Sequence, residues 1–157
     1  MVFIKIVFKR VTKSHVLKNK IKKILVPLDG SKNSLRGLDV AIMIARPHES
    51  MITGFHVPSS FPYGVRVTKK IREESRKKVD LIVKEGKKKS KQNGIPYKSK
   101  IQRGHNIGNE IVRYAHANKY DIIVIGSKGP DPGLDIFIGS VSYFVILRAR
   151  IPVVIVK

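Results

Sequence analysis

The 157-residue sequence has no cysteine and no tryptophan, and only 11 acidic residues stand against 32 lysines and arginines. Without cysteine the chain has no disulfide framework, no thiolate ligand for zinc and no cysteine nucleophile. Its longest apolar runs are far shorter than the ~20 residues that a membrane-spanning helix needs. A signal peptide is not predicted, because the apolar segment near the N-terminus precedes its basic residues and no small-residue cleavage site follows. We therefore expect a cytoplasmic protein without a membrane span.

Apolar residues make up 42% of the sequence, which is ordinary for a globular protein and argues against intrinsic disorder. The formal net charge of +21 predicts attraction to an anionic partner. This charge is regional, because residues 1–23 contain eight basic residues and no acid, while residues 66–103 contain fifteen basic residues and four acids. The remaining sequence is nearly balanced. The charge alone does not distinguish a nucleic acid from a membrane surface, a nucleotide or an acidic protein.

Short apolar segments alternate with amphipathic helical segments from residue 21 to residue 157. The predicted strands are residues 22–28, 51–57, 97–102, 121–126 and 152–156. The predicted helices are residues 31–46, 67–91, 106–117 and 139–148, the first of them ending near Arg46-Pro47. Uniformly apolar strands are typical of a sheet covered on both faces. The alternation predicts one α/β domain with an open parallel sheet and right-handed crossovers.

Residues 1–20 form a basic N-terminal extension outside this alternation. The segment from Val2 to Phe8 is short, apolar and strand-like. Two interpretations remain open, an extra edge strand or a poorly ordered tail.

A glycine-containing segment follows the fourth predicted strand. It begins with Gly126-Ser127-Lys128-Gly129 and, after nine residues, ends with Gly139-Ser140 where a helix is predicted to start. Glycine lets the backbone approach a phosphate closely, and the N-terminus of a helix supplies free N–H groups. Neither the P-loop motif nor the dinucleotide-binding fingerprint is present. The alternative is that the glycines only mark turns. The side chains that would add hydroxyl groups or positive charge are Ser127, Ser140, Ser142 and Lys128.

Three ordered segments together resemble the universal stress protein family. They are residues 24–31 (ILVPLDGS), residues 121–127 (DIIVIGS) and residues 139–156, which contain GSVS followed by IPVVIV. The resemblance covers roughly residues 21–157. It implies an adenine nucleotide alpha hydrolase-like α/β fold, in which five parallel strands lie in the order 3-2-1-4-5 with helices on both faces.

The resemblance also implies a ligand. Members of the family that bind ATP carry the motif G-x2-G-x9-G-(S/T), and here it is complete as Gly126, Gly129, Gly139 and Ser140. By resemblance, the two glycine segments hold the ribose and phosphates, while the ends of the first and second strands line the adenine. The implied cofactor-binding residues are Pro27, Leu28, Asp29, Val57, Gly126, Ser127, Lys128, Gly129, Gly139, Ser140, Val141 and Ser142.

Three carboxylates in or near this segment have two interpretations each. Asp29 either hydrogen-bonds the nucleotide or caps the helix that begins after Ser31. Asp131 and Asp135 lie in the nine-residue spacer, where family members are more often basic, and we interpret them as solvated loop residues. The alternative is that they help to hold Mg²⁺ or Mn²⁺ together with the phosphates of ATP.

No catalytic residue and no protein metal site are predicted. The five histidines show no metal-ligand spacing, and His56 is interpreted as a structural imidazole at a strand end. Ser140 has no recognisable base, and no pair of carboxylates is placed for acid–base catalysis. We therefore expect at most slow hydrolysis of ATP.

The predicted function is that of an ATP-binding, nucleotide-regulated stress-response factor. The resemblance implies a homodimer that pairs through the last strand, from Pro152 to Val156. The residues agree with this expectation, because an apolar strand at the edge of a sheet would otherwise be exposed.

The alternative function is binding of nucleic acid or another polyanion by the basic surface, with the nucleotide site empty. Arg76-Lys77-Lys78 and Lys87-Lys88-Lys89 lie in the helix predicted at residues 67–91 and provide positive charge for phosphates. Few aromatic residues interleave with them, and no nucleic-acid-binding module is recognisable. We therefore expect no more than weak, non-specific association with polyanions.

Overall fold

The computed structural model describes residues 4–7, 20–58, 68–129 and 138–157. Its strands are β1 (Ile4–Val7), β2 (Lys23–Pro27), β3 (Met51–His56), β4 (Tyr97–Ile101), β5 (Ile122–Gly126) and β6 (Val153–Val156). Its helices are α1 (Lys32–His48), α2 (Lys69–Gln92), α3 (Ile107–Ala117) and α4 (Ser140–Arg148). No helix within these described ranges has the length and apolar character to cross a membrane.

The strands form one sheet in the order β1-β6-β5-β2-β3-β4. Strands β2 to β6 run parallel to one another. Counted from β2 along the chain, these five strands lie in the order 3-2-1-4-5, which confirms the predicted topology. Because the chain reverses its direction across the sheet between β4 and β5, the loops after β2 and β5 diverge to opposite faces and leave a crevice at their carboxyl ends.

The sixth strand comes from the N-terminal extension. β1 pairs antiparallel with β6, and Ile4 lies opposite Val156 while Val7 lies opposite Val153. Of the two interpretations of this segment, the edge strand is confirmed for residues 4–7. The premise that β6 is an exposed edge is wrong, because β1 occupies that side of it.

The two faces of the sheet carry separate hydrophobic clusters. Ile24, Val26 and Val124 point to the face where α1 and α2 pack. Leu25 and Ile123 point to the other face, where α3 and α4 pack. Because successive side chains of a strand alternate between faces, the uniformly apolar β2 and β5 bury residues on both sides. These two strands therefore form the buried centre of the sheet, and they position the residues that follow their carboxyl ends.

The first predicted helix end is wrong by one residue or two. α1 continues through Pro47 and ends at His48, and Glu49 follows in the left-handed conformation with φ of 52°. Pro47 lies in the last turn, where its missing N–H removes a single bond to the carbonyl of Met43. A proline at this position therefore does not end the helix before it.

Candidate functional site

The glycine segment begins where β5 ends in the centre of the sheet. The N–H of Ser127 donates to the carbonyl of Val156 at 2.7 Å, which fixes the chain as it leaves β5. The N–H of Gly139 then donates to the carbonyl of Ser127, also at 2.7 Å. This bond joins the two halves of the motif directly, although they are separated by the spacer in sequence. The structure therefore brings Gly126–Gly129 and Gly139 together, as predicted.

Gly126 permits close contact between β5 and the first turn of α1. A β-carbon at Gly126 would lie 2.7 Å from the carbonyl carbon of Asn33 and 2.8 Å from the amide nitrogen of Ser34. Real side chains essentially never approach the backbone this closely, so glycine is required there. The Asn33 amide group also donates to the carbonyl oxygen of Lys128 at 3.4 Å. α1 thus supports the glycine turn from one side.

The N-terminus of α4 faces the same crevice. Its N-cap residue is Gly139, and no side chain within the described ranges caps its first turn. The first N–H groups of a helix have no partner within the helix, and they carry the positive end of its dipole. Ser140 is exposed and Val141 is half-buried at this end. The turn therefore offers N–H donors to an anionic group.

Two serines predicted as ligand donors have different surroundings. The Oγ atom of Ser142 donates to the carbonyl of Gly126 at 2.7 Å inside the protein. Its hydroxyl proton is used within the protein here, and the contact of Ser142 with a ligand stays a prediction. Ser127 is only 2% exposed, and its Oγ atom has no hydrogen-bond partner among the described residues. A buried hydroxyl without a partner is uncommon in a folded protein.

Asp29 binds the N-cap residue of α1 without being the cap itself, and its predicted contact with a nucleotide stays a prediction. Its Oδ1 atom accepts a hydrogen bond from the N–H of Ser31 at 2.8 Å, in a turn that follows β2. Ser31, and not Asp29, is the N-cap of α1, because its hydroxyl accepts from the N–H of Ser34 at 3.1 Å. The Oδ2 atom of Asp29 faces Gly129, where a β-carbon would lie 3.2 Å away. One carboxylate oxygen is thus structural, and the other lines the crevice.

The ends of β2 and β3 are tied together beside Asp29. The Nδ1 atom of His56 lies 2.6 Å from the carbonyl oxygen of Leu28, and the N–H of Leu28 donates to the carbonyl of Phe55 at 2.8 Å. The imidazole is therefore a structural bridge, as interpreted from the sequence. Val57 is buried and lies one residue past the end of β3, and Pro27 is the half-buried last residue of β2. All predicted residues from β2 and β3 accordingly lie at the same edge as the glycine turns.

The site contains few charges. Lys128 is the half-buried cation of the glycine turn, and Asp29 is the carboxylate opposite it. Among the described residues, no group of three histidine or acidic side chains is arranged to hold a metal ion. Asp131 and Asp135 lie outside the described residues, so their two interpretations stay open.

Asn33 and Ser34 were not identified as site residues from the sequence. Their position in the sequence could have indicated them, because they occupy the first turn of the helix that follows Asp29-Gly30-Ser31. The carboxyl ends of β2 and β5 meet at one edge of the sheet, so that the turn after one strand lies beside the turn after the other.

Comparison with known proteins agrees with the resemblance noted in the sequence. The model of the universal stress protein family matches residues 20–157. Universal stress protein MJ0531 from Methanocaldococcus jannaschii is 31% identical over 147 residues, which cover 88% of this chain and 84% of the relative. Universal stress protein YxiE from Bacillus subtilis is 30% identical over 146 residues, which cover 86% of this chain and 98% of the relative.

A solved structure shares the fold and contains a nucleotide. The universal stress protein from Archaeoglobus fulgidus in complex with dAMP is 25% identical to this chain, with a TM-score of 0.62. The similarity covers 87% of this chain and 98% of that one.

Proposed function

Because the chain belongs to the universal stress protein family, we propose that it binds ATP in the crevice between the ends of β2 and β5 and acts as a nucleotide-regulated stress-response factor. The bound phosphates lie against the N-terminus of α4 and the Gly126–Gly129 turn. The adenine lies against the ends of β2 and β3. The dAMP complex of the relative from Archaeoglobus fulgidus supports an adenine nucleotide as the ligand class.

The observation that carries this proposal is the buried hydroxyl of Ser127, which has no partner in the part of the chain that the structure describes. It lies in the segment whose carbonyl accepts from the N–H of Gly139, immediately before the uncapped N-terminus of α4. Leaving a buried hydroxyl unpaired costs about 1–3 kcal/mol, so a ligand oxygen that pairs with it gains affinity. A polar ligand with phosphate or ribose oxygens would satisfy both the hydroxyl and the helix N–H groups.

The other site residues supply shape and orientation. Gly129 leaves space beside the Oδ2 atom of Asp29, which accepts a hydrogen bond from a ribose or base donor. Val57 contributes its backbone polar groups, because the β3–β4 pairing ends at His56 and Ile101. Lys128 adds a single positive charge near the phosphates.

The proposed role of ATP is regulation and not rapid turnover. The site contributes hydrogen-bond donors and one cation, but no side chain among its described residues is positioned as a general base beside Ser140. Hydrolysis, where it occurs, is therefore slow. Assistance by Mg²⁺ or Mn²⁺ at the phosphates, and a cytoplasmic location, stay predictions.

Isothermal titration calorimetry with ATP tests the proposal directly. The wild-type chain should bind, and Gly129→Val should weaken binding by at least about tenfold, or ~1.4 kcal/mol, because the valine side chain fills the space beside Asp29. The matched control is Lys87→Ala/Lys88→Ala, which changes exposed residues of α2 and should leave the affinity unaltered. Absence of ATP binding by the wild-type chain would overturn the proposal.

Weak polyanion binding is a second candidate function, and the exposure of α2 favours it. Its basic residues are exposed except for Lys89, which is half-buried and pairs with Asp39 at 2.8 Å. No other basic residue of α2 takes part in a salt bridge with another described residue. A helix face with many unpaired cations attracts phosphates without base specificity.

The same two variants separate this function from the first. Lys87→Ala/Lys88→Ala should weaken binding to mixed-sequence RNA and reduce its salt dependence, whereas Gly129→Val should not. Absence of RNA binding at low salt would remove the second candidate without affecting the first.

The homodimer through Pro152 to Val156 stays a prediction. This dimer requires that β1 leave β6, because β1 occupies the side of β6 to which a second copy would pair.

A further inference from the structure

The edge strand β4 and the strand β6, which β1 covers, differ in how they are protected from unwanted pairing. β4 forms one edge and has the sequence Tyr-Lys-Ser-Lys-Ile, in which Lys98 is exposed and Lys100 is half-buried. Lysines on an edge strand oppose pairing with another sheet, because association would bring charges together and desolvate them. β4 therefore carries its own protection.

β6 has no such protection in its own sequence. It consists of Val153, Val154, Ile155 and Val156, all of them buried, and contains no charge, proline or bulge. A short apolar strand with open N–H and C=O groups is a template for pairing with another strand. In this structure β1 satisfies those groups over the full length of β6.

The direction of this pairing identifies the competing occupant. β1 runs antiparallel to β6, whereas every other pair in the sheet is parallel. Two copies of β6 related by a twofold axis also pair antiparallel, because a twofold interface places the same strand on itself in the opposite direction. A second copy would therefore need the same backbone groups of β6 that β1 uses.

We propose that β1 is an intramolecular cap on β6, which keeps the chain monomeric, and that release of β1 exposes β6 to antiparallel pairing with a second copy of the chain. Tethering favours the cap, since a segment joined by a short linker has an effective concentration on the order of 1 mM. A second copy of the chain, present at a concentration below this value, therefore does not displace β1 from β6. This inference is independent of nucleotide binding.

Proline substitution in the full chain tests the cap. Alternate residues of an antiparallel strand donate to the partner, so Ile6→Pro/Val7→Pro removes at least one donor from the β1–β6 pairing. The control Ile6→Ala/Val7→Ala keeps both N–H groups. Sedimentation equilibrium should show monomers for the wild-type chain and the alanine control, and dimers for the proline variant.

Hydrogen exchange locates the interface. The amides of residues 153–156 that donate to β1, and not those that donate to β5, should be protected in the wild-type chain at every concentration. In the proline variant they should be protected in the dimer and exchange at least about tenfold faster on dilution, when the edge is uncovered. A proline variant that stays monomeric at all concentrations would overturn the proposal, as would a wild-type chain that forms dimers while β1 remains paired.

Deletion of residues 1–19 is the second variant. It leaves residues 20–157, the span matched by the family model, and removes β1 entirely. We expect the same dimer from this variant, with ATP affinity equal to that of the wild-type chain. If neither variant gives a discrete folded dimer, because both unfold or aggregate, β1 is an integral strand and not a releasable cap.

Discussion

The carboxylate of Asp29 faces Gly129, and a β-carbon at Gly129 would lie 3.2 Å from its Oδ2 atom. Asp29 follows β2 and Gly129 lies in the turn after β5, so the two residues line opposite sides of the crevice. The Oδ1 atom of the same carboxylate is held by the N–H of Ser31. The carboxylate is therefore fixed in orientation before any ligand arrives.

Alanine substitutions at two motif glycines should have different effects. Gly126→Ala places its β-carbon against backbone atoms of Asn33 and Ser34, and it should destabilise the protein by about 1–3 kcal/mol. Of the described residues, the β-carbon of Gly129→Ala meets only the side-chain oxygen of Asp29, so its stability should change by less than about 0.5 kcal/mol while ATP affinity falls. Urea unfolding and calorimetric titration measure the two quantities. Equal stability losses in the two variants would contradict this distinction.

Removal of the Ser127 hydroxyl should change stability and affinity in opposite directions. Ser127→Ala eliminates a buried hydroxyl that has no partner among residues 4–7, 20–58, 68–129 and 138–157, so unfolding in urea should require as much or more denaturant. Its ATP affinity should fall roughly fivefold, for a lost hydrogen bond of about 1 kcal/mol.

Ser90→Ala is the matched control for this prediction. The Oγ atom of Ser90 is likewise buried and lacks a partner among the described residues, but Ser90 lies on α2. Its replacement should leave ATP affinity unchanged. Unaltered ATP affinity in Ser127→Ala as well would indicate that the Ser127 hydroxyl does not contact the nucleotide.

Gly86 should not tolerate alanine, although it lies within a helix. A β-carbon there would collide with the hydroxyl of Tyr97 and lie 2.9 Å from its Cζ atom. We expect Gly86→Ala to destabilise the protein by about 1–3 kcal/mol. The energetic cost of this overlap should exceed the roughly 1 kcal/mol by which alanine stabilises a helix relative to glycine.

A double-mutant cycle in urea tests the cause. In a Tyr97→Phe background the cost of Gly86→Ala should shrink, since the hydroxyl is absent. Gly37→Ala in α1 is the control, because its nearest contact would be an ordinary 3.5 Å. Costs that add without coupling would rule out the hydroxyl as the source of the strain.

Stability should decrease between pH 10 and pH 12. Burial raises the pKa of Tyr97 from its ordinary value of 10.0 to about 12, and burial is also the main cause that raises the pKa of Tyr120 to about 12. The unfolded chain loses these protons near pH 10, whereas the folded chain keeps them. The unfolded state therefore binds fewer protons across this interval, and the free energy of unfolding falls as the pH rises.

Ultraviolet titration of phenolate absorbance reports these groups separately from lysines. Tyr97 and Tyr120 should ionise late in the folded chain, and Tyr97→Phe should remove one of the late steps. Ionisation of every tyrosine near pH 10 in the folded protein would refute this prediction.

Most element positions were predictable because the periodicity of apolar residues is local. The apolar run of β5 and the capping residues Ser31 and Asn106 mark their elements without reference to the rest of the chain. The end of α1 was not predictable in this way, since Pro47 is compatible with the last turn of a helix as well as with its end. Of the candidate site, the glycine spacing was visible in the sequence, but the bond between Gly139 and Ser127 was not.

The roles of individual polar atoms depended on three-dimensional neighbours. Ser127 and Ser142 are alike as sequence letters, yet one hydroxyl donates to Gly126 and the other has no partner among the described residues. Which carbonyl lies within reach of a hydroxyl depends on how α4 packs against β5. No local pattern encodes that distance.

The amino-acid sequence was sufficient for the parallel α/β architecture, its strand order by family resemblance, and the glycine motif at the end of β5. The architecture and the motif follow from short-range periodicity and from motif spacing, which are local to consecutive residues, whereas the strand order followed from the resemblance alone. The tertiary structure was needed to place β1 on β6, since strand pairing joins segments almost the whole chain apart. Burial and hydrogen bonding across the sheet, and not the residue types alone, decided which strand covers β6 and which serine hydroxyl lacks a partner among the described residues.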